Sequence, residues 1–169
     1  MAYPTTLAFK SIGAIIGMPD ITQTDTTQRV PLGTRVRFFD SVYGEIDCIY
    51  LKGVAGTIAG SIVVYDPKLA TTTLSVLASR GPLAVAMSAN VALQFGWYAV
   101  QGVVPVNTTL AGTGAANAGL ATTAVAGQAT VRGVAAQAID GLICKAAQDA
   151  PNVGFTDVEL AYPCGNGLT

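Results

Sequence analysis

After Pro31 the chain is interrupted every ten residues or so by Gly, Pro or Asp, with a short apolar run between interruptions. RVRFFD, GEIDCIYLKGV, GSIVVYDP, TTTLSVLAS and GPLAVAMS all have the form of strands bounded by turns. In EIDCIYL, the residues Ile46, Cys48 and Tyr50 fall on one face, and Asp47, Ile49 and Leu51 on the other. Successive strand side chains point to opposite faces, so the first set is expected to line a core. FTDVELAYP alternates in the same way, setting Val158, Leu160 and Tyr162 against Asp157, Glu159 and Ala161. Many short strands at even spacing predict an all-β fold, an antiparallel β-barrel or sandwich. One short helix around Ala135–Ala138 fits between flanking glycines.

A second feature is chemical. From Gly81 to Val131, between Arg80 and Arg132, there is no Asp, Glu, Lys or Arg. Charged residues make up 11% of the chain, against roughly 25% in an ordinary soluble domain. Ala, Val, Thr and Gly take their place. A surface this bland is best explained if much of it lies against other subunits or a partner. The nine basic residues are scattered singly and the net charge is −1. No stripe follows a phosphate backbone, which argues against nucleic acid.

The opening MAYPTTLAFKSIGAIIGMPD has no basic stretch, and its apolar run after Lys10 is only about seven residues long, short of a secretory signal or a span. The most apolar window, Leu83–Val100, is broken by Ser88, Asn90, Gln94 and Gly96, so no membrane segment is expected. Residues 1–30, polar and rich in threonine toward their end, show no periodic apolar face. They are expected to form an extended arm ahead of a single β-rich domain over 31–169.

There is no histidine, which removes the Ser-His-Asp and Cys-His pairs and most zinc sites. Asp40, Glu45 and Asp47 cluster before the strongest strand, and paired carboxylates can serve acid–base chemistry or hold Ca²⁺. Glu45 and Asp47 share the outward face, however, so a solvated surface is the simpler reading. AGTGAANAG lacks the third glycine of a dinucleotide fingerprint, Asn117 standing in its place. Cys144 beside Lys145 has no base nearby and reads as a small buried hydrophobe. The three cysteines match no metal spacing and are expected as reduced thiols of a protein made in a cytoplasm. No enzyme activity, cofactor or metal site is expected.

Three stretches together carry a resemblance: PLGTRVRFFDSVYGEIDCIYLKGVAG, GPLAVAMSANVALQFGWYAVQGVVPV and the closing VGFTDVELAYP. Read in this order, the chain resembles the head-decoration, or cement, proteins of tailed bacteriophages. The likeness spans about residues 31 to 163 and consists of structural motifs rather than a catalytic signature. It implies a virion protein on the outer surface of a capsid, made in the bacterial host cytoplasm. The implied partners are the major capsid protein and further copies of itself, most simply as a trimer. Capsid or subunit contacts are then expected from Tyr3, Leu7, Phe9, Ile12, Ile15 and Ile16 of the arm, and from Trp97 and Tyr98. The last two fall on opposite faces of one strand, so one is expected in the core and the other on a contact surface. A carbohydrate- or receptor-binding β-module is the alternative.

Overall fold

One long strand, β7 (Phe95–Leu110), organises the fold. The computed structural model describes residues 10–11, 18–110, 116–132, 138–145 and 152–166. Ahead of β7 run β1 (Lys10–Ser11), β2 (Arg35–Asp40), β3 (Gly44–Lys52), β4 (Ile62–Tyr65), β5 (Thr72–Leu74) and β6 (Arg80–Ala86). After it come β8 (Gly119–Thr122), β9 (Ala129–Val131), β10 (Ala138–Cys144) and β11 (Asn152–Asn166). The first part of β7 pairs with β3, Cys48 opposite Ala99 and Tyr50 opposite Trp97. Its second part pairs with β11, from Gln101–Ala161 to Leu110–Asn152. Hydrogen bonding then passes from β11 to β10, β8 and β9, and returns to β7 through the parallel Thr108–Ala129 pair. The fold is all-β, as expected, with a closed ring of strands and no helix among the described residues. The helix expected at Ala135–Ala138 falls largely outside them, and Ala138 opens β10.

β7 changes partner at a bend. Asp47 lies opposite Gln101 but Cys48 lies opposite Ala99, so Val100 is an extra residue on β7. Gly102 follows at φ 106°, and a Cβ there would come 2.5 Å from the Glu45 carbonyl oxygen. A bulge followed by a glycine is how a strand turns a barrel corner while another backbone crosses it closely.

Two apolar clusters lie on opposite sides of this strand. The larger holds Ile46, Cys48, Tyr50, Trp97, Val104, Val106, Leu120, Leu142 and Val158. The smaller holds Ile49, Leu51, Val63, Tyr65, Ala84, Ala86, Tyr98 and Val100, contributed by the adjacent strands β3, β7, β6 and β4. Two expectations are corrected here. Ile49 and Leu51 were placed on an outward face, yet they are buried: Ile49 lies beside Tyr98 and Tyr98 beside Ala86 in one sheet, and Ala70, Leu32 and Leu74 pack against that face. Trp97 and Tyr98 do point opposite ways, but each enters a core, so neither presents a contact surface. Much of the charge-free stretch is thereby explained within one chain. Its central strand is covered on both faces, where an unpaired charge would cost several kcal/mol.

The arm is corrected as well. Tyr3, Leu7, Phe9, Ile12, Ile15 and Ile16 lie outside the described residues. Residues 18–30, read as part of the arm, are instead packed. Ile21 is fully buried and Val30 nearly so. Asp25 and Phe95 exchange two backbone hydrogen bonds, at 2.9 and 2.8 Å. The Trp97 indole N–H donates to the Pro19 carbonyl at 3.1 Å. Asp25, buried, accepts from the Tyr50 hydroxyl at 3.0 Å and from Arg29 at 2.9 Å. This segment has no strand period because its isolated side chains are held by specific partners rather than by a repeating face.

Tyr162 is the last correction. Val158 and Leu160 face the core as expected, but Tyr162 is exposed. Leu142 pairs with Leu160 whereas Asp140 pairs with Cys164, so β11 carries extra residues opposite Gly141. Tyr162 sits there at φ 49°. The bulge shifts the alternation by one residue, and Pro163 takes the inward place.

Candidate functional site

The densest array of ionisable groups lies on the outer face of β2, β3, β7 and β11. Arg37 and Asp47 are directly opposed in the β2–β3 ladder, where facing side chains approach closely. The Arg37 guanidinium donates to both Asp47 carboxylate oxygens, at 2.6 and 3.0 Å, and to Glu45 at 3.1 Å. Arg35 stands over the Tyr162 ring, 5.7 Å from its centroid, and the Tyr162 hydroxyl approaches Asp47 at 3.4 Å. Tyr43 donates to Asp157 at 3.2 Å, and Lys145 to Glu159 at 2.8 Å. A shallow groove of about 230 Å³ is lined by Arg37, Tyr43, Glu45, Asp47 and Glu159 together with Gln101, Gly102 and Val103.

Charge in the groove is largely satisfied internally. The Arg37 hydrogen bonds hold the Asp47 carboxyl below the usual carboxylate range, against an opposing effect of burial. Arg37 is raised in turn by the same carboxylate. Burial pushes Tyr43 up, reinforced by Asp157. A carboxylate clamped by two guanidinium bonds is a poor base, and the groove is smaller than the roughly 300–1,000 Å³ usual for small-molecule sites. Its chemistry is that of a surface whose charges are paired with one another.

A lowered Asp47 contributes stability above the ordinary carboxylate pKa, and that contribution disappears as pH falls through the folded-state value. Replacing Arg37 by glutamine is therefore expected to lower the thermal midpoint at about pH 7 and to leave it nearly unchanged at about pH 2, where the carboxylate is protonated in both proteins. Calorimetry of the two proteins at both pH values checks this.

The other groups weighed from sequence fall elsewhere. Asp40 is buried and accepts from the Val42 and Tyr43 amides at 2.7 and 2.9 Å, closing the β2–β3 turn. Glu45 and Asp47 share the outward face, as expected. Cys144 is buried and Cys48 is buried with its thiol pushed well up by desolvation. Asn117 adopts φ 65° and its amide donates to the Cys144 carbonyl at 2.7 Å, so the end of AGTGAANAG that is described is a turn. Among the described residues no three metal-ligating side chains converge, and no helix is long and apolar enough to cross a membrane. Sequence reasoning missed Arg35, Tyr43, Lys145, Asp157 and Tyr162 as members of this surface. The Tyr43–Asp157 and Tyr162–Asp47 partners are more than a hundred residues apart, and no local spacing announces them.

Comparison of the sequence with protein-family models and with curated proteins returned no match.

Proposed function

We propose that the chain is a structural virion protein that binds the outside of a phage capsid and reinforces the shell. The single observation that carries this reading is exposed apolar surface without charge. Much of Gly81–Val131 is buried within the chain, but Val91, Leu93 and Val125 of this uncharged stretch are exposed. A protein that packs against neighbours on a lattice can bury neutral small-residue surface without stranding a charge. Many modest contacts on a symmetric shell then add through multivalency. In this reading the partners are the major capsid protein and other copies of the chain, most simply a trimer at a local three-fold position. Tyr3, Leu7, Phe9, Ile12, Ile15 and Ile16 supply further apolar contact with a neighbouring subunit. The resemblance noted in the sequence supports the same reading.

The test is whether the chain co-purifies with intact particles at a fixed ratio to the major capsid protein. A fixed ratio is expected; a variable trace that washes away with salt refutes the proposal.

One observation favours a second reading, a glycan- or receptor-binding module. Tyr43 lines the groove and Tyr162 lies beside it, next to the carboxylates and arginines, a combination suited to sugars. Arg37 and Asp47 are already engaged with each other, which leaves fewer groups for a ligand. A glycan array separates the readings: specific glycan binding abolished by Tyr43→Ala favours the second.

A further inference from the structure

Loops of soluble proteins ordinarily show water polar side chains, because their backbone and their tips are solvated. Four loops here do the reverse: residues 87–94, and three others that adjoin one another. Residues 54–61, 75–79 and 122–128 contain no ionisable side chain. Every exposed residue within them is Ala, Gly, Val, Ile or Leu. The large ones are Ile58, Val76, Leu77 and Val125, at 47, 45, 48 and 50% exposure.

The three loops are knitted into one surface. The Gly127 amide donates to the Ser75 carbonyl at 2.8 Å, and the Gly127 carbonyl accepts from Ile62 at 2.9 Å. The Ala78 amide donates to the Thr122 hydroxyl at 3.2 Å. The Leu74 side chain packs under both Gly56 and Gly127, within 3.3 Å of where a Cβ would sit on either. The turn carrying Leu77 is also held stiffly. Ser79 N–H donates to the Val76 carbonyl at 2.9 Å, Val76 N–H to the Ser79 hydroxyl at 2.8 Å, and Ala78 accepts a left-handed φ of 60°. A non-glycine residue in that region is strained, and strain of this kind collects where geometry is needed for a contact. An apolar tip held rigid loses little entropy on docking.

We infer that this apolar cap is where one copy of the chain meets another. The inference rests on the self-association part of the proposed function and names its surface. Charge selects a second copy as occupant. A homotypic contact sets a surface against one of like charge, and the three loops together bring no charge to repel or strand. The charged face around Arg37 and Asp47, by contrast, would lay its carboxylates against carboxylates unless the register were special. Nine residues of the three loops are exposed, a patch smaller than the roughly 20–30 residues per side of an ordinary stable interface, which suits a modest contact repeated on a lattice.

The experiment is sedimentation of the full chain over a concentration series, with Leu77→Asp, Val125→Asp and the control Val42→Asp, whose side chain is exposed at the β2–β3 turn. Circular dichroism confirms folding of each. The native chain and the control are expected to associate alike, and each cap variant to weaken association by at least ~100-fold, the scale for a charge buried without a partner at an interface centre. Concentration-dependent hydrogen exchange of the native chain needs no variant: amides of the three loops are expected to slow as copies associate. A native chain that stays monomeric to about 1 mM, cap variants that associate as the native chain does, or protection confined to another surface each overturn the inference. Cap variants that associate normally but fail to bind shells assign the cap to the capsid and also overturn it. Association through the cap by a chain that never binds shells leaves this inference standing and removes the decoration reading instead.

Discussion

Replacing Trp97 by alanine is expected to destabilise the fold by about 3–5 kcal/mol, the range for truncating a large buried aromatic. Trp97 is fully buried. Phe38 meets it edge-on with centroids 5.3 Å apart, and Tyr50 at 5.1 Å. Its indole N–H is also the bond that ties Pro19, and with it the packed segment from Met18 to Val30, to the central strand. Truncation therefore opens a cavity, removes two aromatic contacts and leaves the Pro19 carbonyl without its donor. For a chain of this length each kcal/mol moves the midpoint by roughly 2–4 °C, so calorimetry at fixed protein concentration is expected to register a fall of about 6–20 °C. Trp97→Phe keeps most of the apolar contact and loses the hydrogen bond, and is expected to cost less than half as much. A midpoint for Trp97→Ala within 2 °C of the native value, about the shift of a single kcal/mol at most, contradicts the position given to this side chain.

The second large effect is expected at Gly102. Alanine there must adopt a φ near 106° and place its Cβ 2.5 Å from the Glu45 carbonyl oxygen and 3.0 Å from the Ile46 Cα. Both obstacles are backbone atoms, so no side-chain rotation relieves them. Backbone strain of about 1–3 kcal/mol adds to roughly 1–3 kcal/mol for forcing β3 and β7 apart. The expected loss is about 2–6 kcal/mol, read as a lowered denaturation midpoint. Because the corner sets the β3–β7–β11 geometry, the Arg37–Asp47 clamp shifts with it. The acid-side behaviour of Gly102→Ala is expected to approach that of Arg37→Gln.

How much of this was legible in the sequence depends on distance along the chain. The β2 and β3 strands, and the shared outward face of Glu45 and Asp47, follow from alternation within a dozen residues. Ile49, Leu51 and Tyr98 could not be placed that way. A strand with apolar residues on both faces says that both sides are buried, but not by what; here the second face joins side chains of the neighbouring strands β6 and β4 with Ala70, Leu32 and Leu74. Tyr162 was misplaced by the β10–β11 bulge, since a one-residue shift of the alternation reverses every later side chain. A glycine within an apolar run, such as Gly102 in QGVVPV, is a signal for a bulge or close backbone approach, and it marks the barrel corner here. Residues 18–30 carry no period because Ile21, Asp25 and Pro19 are each held singly. Any truncation meant to probe the arm must therefore stop before Met18, or it removes part of the core.

The central claim is that the chain strengthens a shell by binding its outside. Purified shells lacking the chain should be heated with and without it, at saturating concentration, while release of packaged DNA is followed. The account predicts that added chain binds at a fixed ratio to the capsid protein and raises the temperature of DNA release. It predicts no such gain from a folded variant that no longer binds. Shells that bind the chain at full occupancy and release DNA at the same temperature as bare shells would contradict the claim, as would a folded chain that does not bind them.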